Sequence, residues 1–306
     1  ARAASTPPSC APFVPGSGKA AGDFALSGGR NAEGARMRDG NGRLRLGHIV
    51  YSNCFPVHAG LIDRGAPEWL EITEGVPGRL NVLLDQGEID VAPCSSIEYA
   101  RHADRYRVLP DLVIGSRGPV RSILFLADRH PAELDGRLVA MPTASATSVV
   151  LLKVLLRVRW GVSPRFTWFD QAVEDPFEAG ADGALFIGDV ALRPELYPER
   201  PFRFDLGAEW WEHTGLPFAF AVWQDGGGAD PELRRLHGAL LESRAYGHER
   251  RAELACRYAA HFGFDPAMLD DYWRGLSYEL DGPMLEGLRT YYRLAAEIGE
   301  IPEAPE

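Results

Sequence analysis

The chain has 306 residues, 45% hydrophobic and 25% charged, a globular composition whose length predicts two lobes rather than one or three. With 43 acidic against 32 basic side chains the formal charge is −11, which excludes a general nucleic-acid or anionic-membrane binder and requires any anionic ligand to be held by local donors. No apolar run reaches the roughly 18 residues needed to span a bilayer, so the expectation is a soluble chain with no membrane partner.

Residues 1–42 are mostly Ala, Gly, Ser, Pro and Arg, lack the apolar core of a secretory signal, and are expected to form a disordered leader. The cysteines, Cys10, Cys54, Cys94 and Cys256, show no CxxC pair and no His at metal-ligand spacing. Neither a metal site nor a disulfide framework is expected, and a reducing cytoplasm is the expected location.

From Arg43 the pattern changes. Leu44, Leu46, His48 and Val50 alternate with polar or small residues at the period of a strand. Asn53 then reads as a helix N-cap, with Pro56 in the first helical turn. The unit recurs as a strand at 69–73, a helix at 77–86 and a strand at 88–93. Ser95 and Glu98 have the spacing of a capping box for a helix starting near Ser96. Strands are expected at 108–114 and 120–127, separated by a turn at 115–119. A short strand at 137–141 leads through the Ser145–Ser148 turn into an apolar helix at 149–159, which must be buried. Strands at 166–169 and 184–187 follow, the second ending at Gly188-Asp189, and a return strand is expected at 217–223. The remainder is helical, with Leu285, Leu288, Tyr292 and Ala295 on one face.

Alternating strands and helices predict an α/β fold with largely parallel sheets. The expected organisation is a first lobe of residues 43–120 plus 221–306, interrupted by a second lobe of residues 121–220, with a ligand cleft between them. Three strand-to-helix turns carry small hydrogen-bonding side chains: Asn53, Ser95-Ser96, and Ser145 with Thr147-Ser148. A helix N-terminus holds a carboxylate or phosphate through free N–H groups without a fixed cation. Each turn alone reads equally as ordinary capping. Three in one α/β chain favour an anion-binding cleft, because such sheets bind ligands at the carboxyl ends of their strands. Asp189 reads as a ligand-orienting group or a helix cap, His48 as a core histidine, and Cys54 as packing. The aromatic set Phe202, Phe204, Trp210, Trp211, Phe218, Phe220 and Trp223 reads mainly as core. No GxGxxG, Walker, GxSxG or HExxH motif occurs.

Several segments go further when taken in order: Gly47-His48-Ile49, Ser52-Asn53-Cys54, Gly115-Ser116-Arg117-Gly118-Pro119-Val120 with Ser122, Thr147-Ser148, Ile187-Gly188-Asp189, and residues 214–223. Together they closely resemble the chorismate dehydratase family of the futalosine route to menaquinone, over about residues 44 to 300. The resemblance implies a two-lobed fold like type 2 periplasmic binding proteins, and conversion of chorismate to 3-[(1-carboxyvinyl)oxy]benzoate and water without metal or organic cofactor. It implies catalytic roles for Asn53 and Ser122. Ser95, Ser96, Ser145, Thr147, Ser148, Gly188 and Asp189 are implied as substrate-holding positions. Family members often carry an Arg between the Ser and Thr of the 145–148 turn, where this chain has Ala146. Carboxylate binding there must rest on N–H and hydroxyl donors. Two alternatives share the fold: a lyase like 1,4-dihydroxy-6-naphthoate synthase, and a solute-binding protein for a small anion.

Overall fold

A computed structural model describes residues 42–226 and 230–305. Apart from Gly42, the expected leader lies outside these residues.

The chain opens with β1 (Leu44–Ile49), α1 (Phe55–Asp63), β2 (Leu70–Gly75), α2 (Pro77–Asp85), β3 (Val91–Ser95), α3 (Ser96–Arg101) and β4 (Arg107–Ser116). It continues through β5 (Ile123–Ala127), β6 (Leu138–Pro142), α4 (Thr147–Val154), β7 (Arg165–Phe169), β8 (Gly183–Ile187), α5 (Gly188–Ala191), β9 (Phe202–Asp205) and α6 (Leu206–Thr214). It closes with β10 (Phe218–Asp225), α7 (Asp230–Glu249), α8 (Arg251–Phe262), α9 (Pro266–Gly275), β11 (Leu276–Ser277) and α10 (Gly282–Glu297). Prolines sit in the first turns of α1, α2, α9 and α10, where the missing N–H costs no intrahelical bond. The apolar α4 is buried as expected and runs on into a π-helical turn at Leu155–Arg159.

Two sheets result. One has strand order β11-β4-β10-β3-β1-β2 and the other β7-β6-β8-β5-β9. Neither is wholly parallel. The returning strand β10 runs antiparallel to both β3 and β4, and β5 runs antiparallel to β8 and β9. These two strands lie where the chain passes between the sheets, so each enters its sheet without a βαβ crossover to set a parallel direction. The whole of Phe218–Asp225 belongs to the first sheet, so that sheet begins three residues ahead of the expected boundary at 221.

The expected turn at 115–119 starts late, because β4 continues through Gly115 and Ser116. Gly115 serves close packing here. A Cβ at that position would lie 2.7 Å from the Phe218 carbonyl oxygen and 2.8 Å from Met284 Cε. The crossing from β4 to β5 includes Arg121 at φ +67°, a left-handed conformation that costs an L-residue roughly 1–2 kcal/mol. Asp205 holds it there. Its carboxylate accepts the N–H groups of Val120 and Arg121 as well as those of Gly207 and Ala208, which it caps.

The main apolar core runs from α1 and α4 to the C-terminal helices. On α10, Met284, Leu288, Tyr291, Tyr292 and Ala295 are buried, while Leu285 is only partly so. Two hydroxyls of that face tie the polar turns together. Tyr292 donates to the Ser96 carbonyl at 2.7 Å and Tyr291 to the Thr147 carbonyl at 3.1 Å. Among the described residues no helix is long and apolar enough to cross a membrane. Cys54 and Cys94 are free and buried.

Candidate active site

The strand ends and following turns of the two sheets converge on one cavity. The first sheet contributes Ile49, Tyr51, Asn53, Pro77, Ser95, Ile114, Phe220 and Ala221, and the second contributes Ser122, Ile123, Ser145, Ser148, Ile187 and Gly188. Six of the nine sequence-predicted positions therefore line a common space: Asn53, Ser95, Ser122, Ser145, Ser148 and Gly188. Its volume is about 40 Å³, near the roughly 30 Å³ share of a single water and far below the roughly 300 Å³ of a small ligand site. The lobes are closed on each other.

The turn after β1 is the most unusual part. Asn53 does not cap α1; the cap position is Cys54, and no side chain closes the helix there. The Asn53 Oδ1 atom is buried and has no hydrogen-bond partner. An unpaired buried amide costs roughly 1–3 kcal/mol, so this oxygen is one the fold leaves for something else. The peptide before it is held on both sides. Ser52 donates its N–H and its Oγ–H to Asp189, the latter at 2.6 Å, and the Ser52 carbonyl accepts the indole N–H of Trp273 at 2.7 Å.

Asp189 thus faces Ser52 and does not line this cavity. It is not the cap of α5 either, since Ile187 occupies that position. Burial raises its pKa, against the opposing pull of the Ser52 bonds and of Arg193 and His261. Ser96 and Thr147 are likewise committed elsewhere. Ser96 Oγ donates to the Ala219 carbonyl at 2.8 Å, and Thr147 Oγ1 accepts the Ile97 N–H and lies 3.3 Å from Ser96 Oγ. The Thr147 contacts bridge the first and second sheets' turns. The expected capping box also fails: Ser95 makes no side-chain cap bond, and Glu98 pairs with Arg101 and His102.

Gly188 sits at φ +64°, and a Cβ there would come within 2.9 Å of the Tyr51 ring. Its N–H donates to the Ser122 carbonyl at 2.8 Å, so the two positions share one wall. Ser122 Oγ accepts the phenol of Tyr272 at 2.8 Å. At Ser145 the hydroxyl donates to Ser148 Oγ at 3.2 Å and accepts the Ser148 N–H at 3.4 Å, a self-contained turn.

The electrostatics of this wall are plain. Among the described residues lining it there is no carboxylate, imidazole, ammonium or guanidinium. Tyr51 is the one titratable group, and burial, with Asp189 and Asp170 nearby, pushes it up to about 12. Cys54 is buried with its thiol pushed up to about 12 by desolvation, which fits packing and not nucleophilic chemistry.

A second cluster lies behind the sheet. His48, Cys54 and His58 bring their ligand atoms within 4.8 Å of one another. Trp223 Nε1 donates to His58 Nε2 at 3.1 Å, which puts the His58 proton on Nδ1, and that proton points to His48 Nδ1 at 2.9 Å. Both facing nitrogens are used in this run of hydrogen bonds. Burial lowers the pKa of both histidines, His48 to about 4, and His48 is the satisfied core residue expected.

Sequence reasoning missed Ser52, Tyr272 and Trp273. Their roles arise from contacts 137 to 221 residues apart in the chain, and no local pattern signals them.

Comparison with known proteins bears on this geometry. A family described as "Menaquinone biosynthesis" matches residues 44–297. A chorismate dehydratase of Thermus thermophilus is 34% identical over 276 residues, covering 85% of this chain and 96% of that protein. One of Campylobacter jejuni is 35% identical over 181 residues, covering 58% of this chain and 65% of that protein. Among solved structures, a protein of Archaeoglobus fulgidus superposes with TM-score 0.69 at 20% identity, covering 86% of this chain and all of that one. The periplasmic aliphatic sulphonate binding protein of Escherichia coli does so with TM-score 0.57 at 16% identity, covering 86% of this chain and 89% of that chain. These likenesses show a two-lobed fold of the periplasmic-binding-protein kind.

Proposed function

The chain belongs to the menaquinone biosynthesis family, and from that membership we propose that it is a chorismate dehydratase, a hydro-lyase converting chorismate to 3-[(1-carboxyvinyl)oxy]benzoate and water. The reaction removes the ring proton at the carbon bearing the enolpyruvyl ether. The electron pair of that C–H bond becomes a ring double bond, the C–O bond to the neighbouring hydroxyl breaks with its pair, the departing oxygen takes up a proton to leave as water, and the ring becomes aromatic.

One observation carries the mechanistic reading: among the described residues, the cavity wall holds no group that is a base at neutral pH. The proton acceptor is therefore assigned to the substrate, as the enolpyruvyl carboxylate acting within the bound molecule. The protein's part is to hold that carboxylate against the C–H bond. Well-oriented intramolecular reactions gain roughly 7–11 kcal/mol from such positioning. Asn53, with its unpartnered oxygen, and Ser122, with its fixed hydroxyl, are assigned to the reacting ring. Ser95, Ser145 and Ser148 are assigned to the carboxylates as neutral donors that stabilise charge developing in the transition state. With Ala146 in the 145–148 turn, no guanidinium reaches in from that segment.

Entry requires opening. We assign residues 43–120 plus those from Phe218 onward to one lobe, in place of the expected boundary at 221, and the stretch between to the other, moving about hinge segments near 117–123 and 217–224. Ser52–Asp189 and Ser96–Thr147 are the contacts that must part. The partner is a small molecule. A cytoplasmic location is proposed on the free thiols Cys54 and Cys94.

The test is to mix the purified chain with chorismate, without added metal or cofactor, and follow 3-[(1-carboxyvinyl)oxy]benzoate by chromatography and mass. Its formation at a catalytic rate supports the dehydratase. Tight binding without turnover overturns it in favour of a solute-binding protein.

A further inference from the structure

Helix α9 reaches both catalytic assignments with two consecutive residues. Trp273 donates to the carbonyl of Ser52, the peptide leading into Asn53, and Tyr272 donates to Ser122 Oγ. Successive helical residues point about 100° apart, so one helical turn can touch two separate loops. The helix is itself well anchored. Asp265 caps it, Arg251 pairs with Asp270 at 2.7 Å, and Asp271 pairs at 2.8 Å with Arg121, the left-handed residue immediately before Ser122.

The Tyr272 side chain is buried, and Ser122 Oγ is the hydrogen-bond acceptor within its reach. A buried phenol proton without an acceptor is costly, whereas an unused phenol lone pair is not, so the bond runs from Tyr272 to Ser122. Burial also raises the Tyr272 pKa, which keeps that proton in place across the working pH range. A serine hydroxyl has one proton and two lone pairs. Once a lone pair is taken by Tyr272, the rotor is no longer free to turn its proton toward the phenol.

We infer that Tyr272 is a positioning residue for the dehydration: its hydroxyl holds Ser122 so that the serine proton is presented to the ligand in the cleft. The inference rests on the assignment of Ser122 to the reacting ring. It extends the site to a residue 150 positions away that never lines the cavity.

A double-mutant cycle on the full chain tests it, with chorismate turnover as the readout and thermal melting as the check on folding. Tyr272→Phe is expected to lower kcat about tenfold, the loss of one oriented hydrogen bond, while KM stays within about threefold. In the Ser122→Ala background the same substitution is expected to change kcat by less than about twofold, because the group it acts through is gone. Tyr272→His returns a ring N–H donor and is expected to recover part of the loss, which also covers the case in which the Phe variant folds poorly. Equal losses in both backgrounds would mean a general packing role and overturn the inference. So would wild-type kcat for Tyr272→Phe when Ser122→Ala is impaired. If Ser122→Ala itself keeps wild-type turnover, the assignment of Ser122 fails first and the inference with it.

Discussion

Two turns line the cavity from different sheets and use their polar groups in opposite ways. At residues 51–54 the Ser52 peptide is gripped from outside, by Asp189 on one side and Trp273 on the other, and Asn53 is left with an unpaired amide oxygen. At residues 145–148 the serines bond each other, so the turn is stable by itself and its hydroxyls are partly occupied. Both read alike as small polar residues before a helix. The difference teaches that a side chain is released for a ligand when distant parts of the chain hold its backbone.

The largest expected effect breaks the first turn. Asn53→Ala should lower kcat about 10²-fold or more, the usual loss when an oriented polar group leaves a reacting centre. The Tm should hold or rise, because the variant removes a buried amide that has no partner. A large fall in Tm would mean that the amide is structural.

Next in size is the wall facing that turn. Gly188→Ala must adopt a left-handed conformation against the Tyr51 ring, costing roughly 1–2 kcal/mol before the clash is relieved. Turnover should drop about tenfold with a Tm lower by several degrees, measured by kinetics and melting in parallel.

Asp189→Asn sharpens the comparison through pH. The folded-state pKa of Asp189 is raised above its ordinary 3.8, so in the interval above 3.8 the folded chain binds more protons than the unfolded chain. Stability from this group therefore falls as pH rises through that interval. The Asn variant does not titrate. Its Tm relative to the parent should climb across the same interval, and a flat difference would remove Asp189 from the account.

The smallest effect belongs to the second turn. Ser145→Ala should raise KM no more than about threefold and cost about 0.5–1.5 kcal/mol as one lost hydrogen bond within the turn. A loss of kcat approaching that of Asn53→Ala would erase the distinction between the turns.

Much of the fold was legible in local pattern. The alternation from Leu44, Pro56 at the start of α1 and the apolar 149–159 segment each placed an element, because strand and helix signals are properties of short stretches. The direction of β10 and β5 and the extension of β4 through Gly115 were not, since each depends on a partner far along the chain. The site divides the same way. Asn53, Ser95, Ser122, Ser145, Ser148 and Gly188 line one cavity, while Ser96, Thr147 and Asp189 turn to partners across the cleft.

The sequence by itself determined an acidic α/β chain with small polar residues at its strand ends and the ordered motifs of its family. The tertiary structure alone decided which of those residues are free to meet a ligand. Hydrogen-bond partners such as Asp189 for Ser52 and Tyr272 for Ser122 are chosen by proximity in space, and a side chain's availability is what remains after those bonds form.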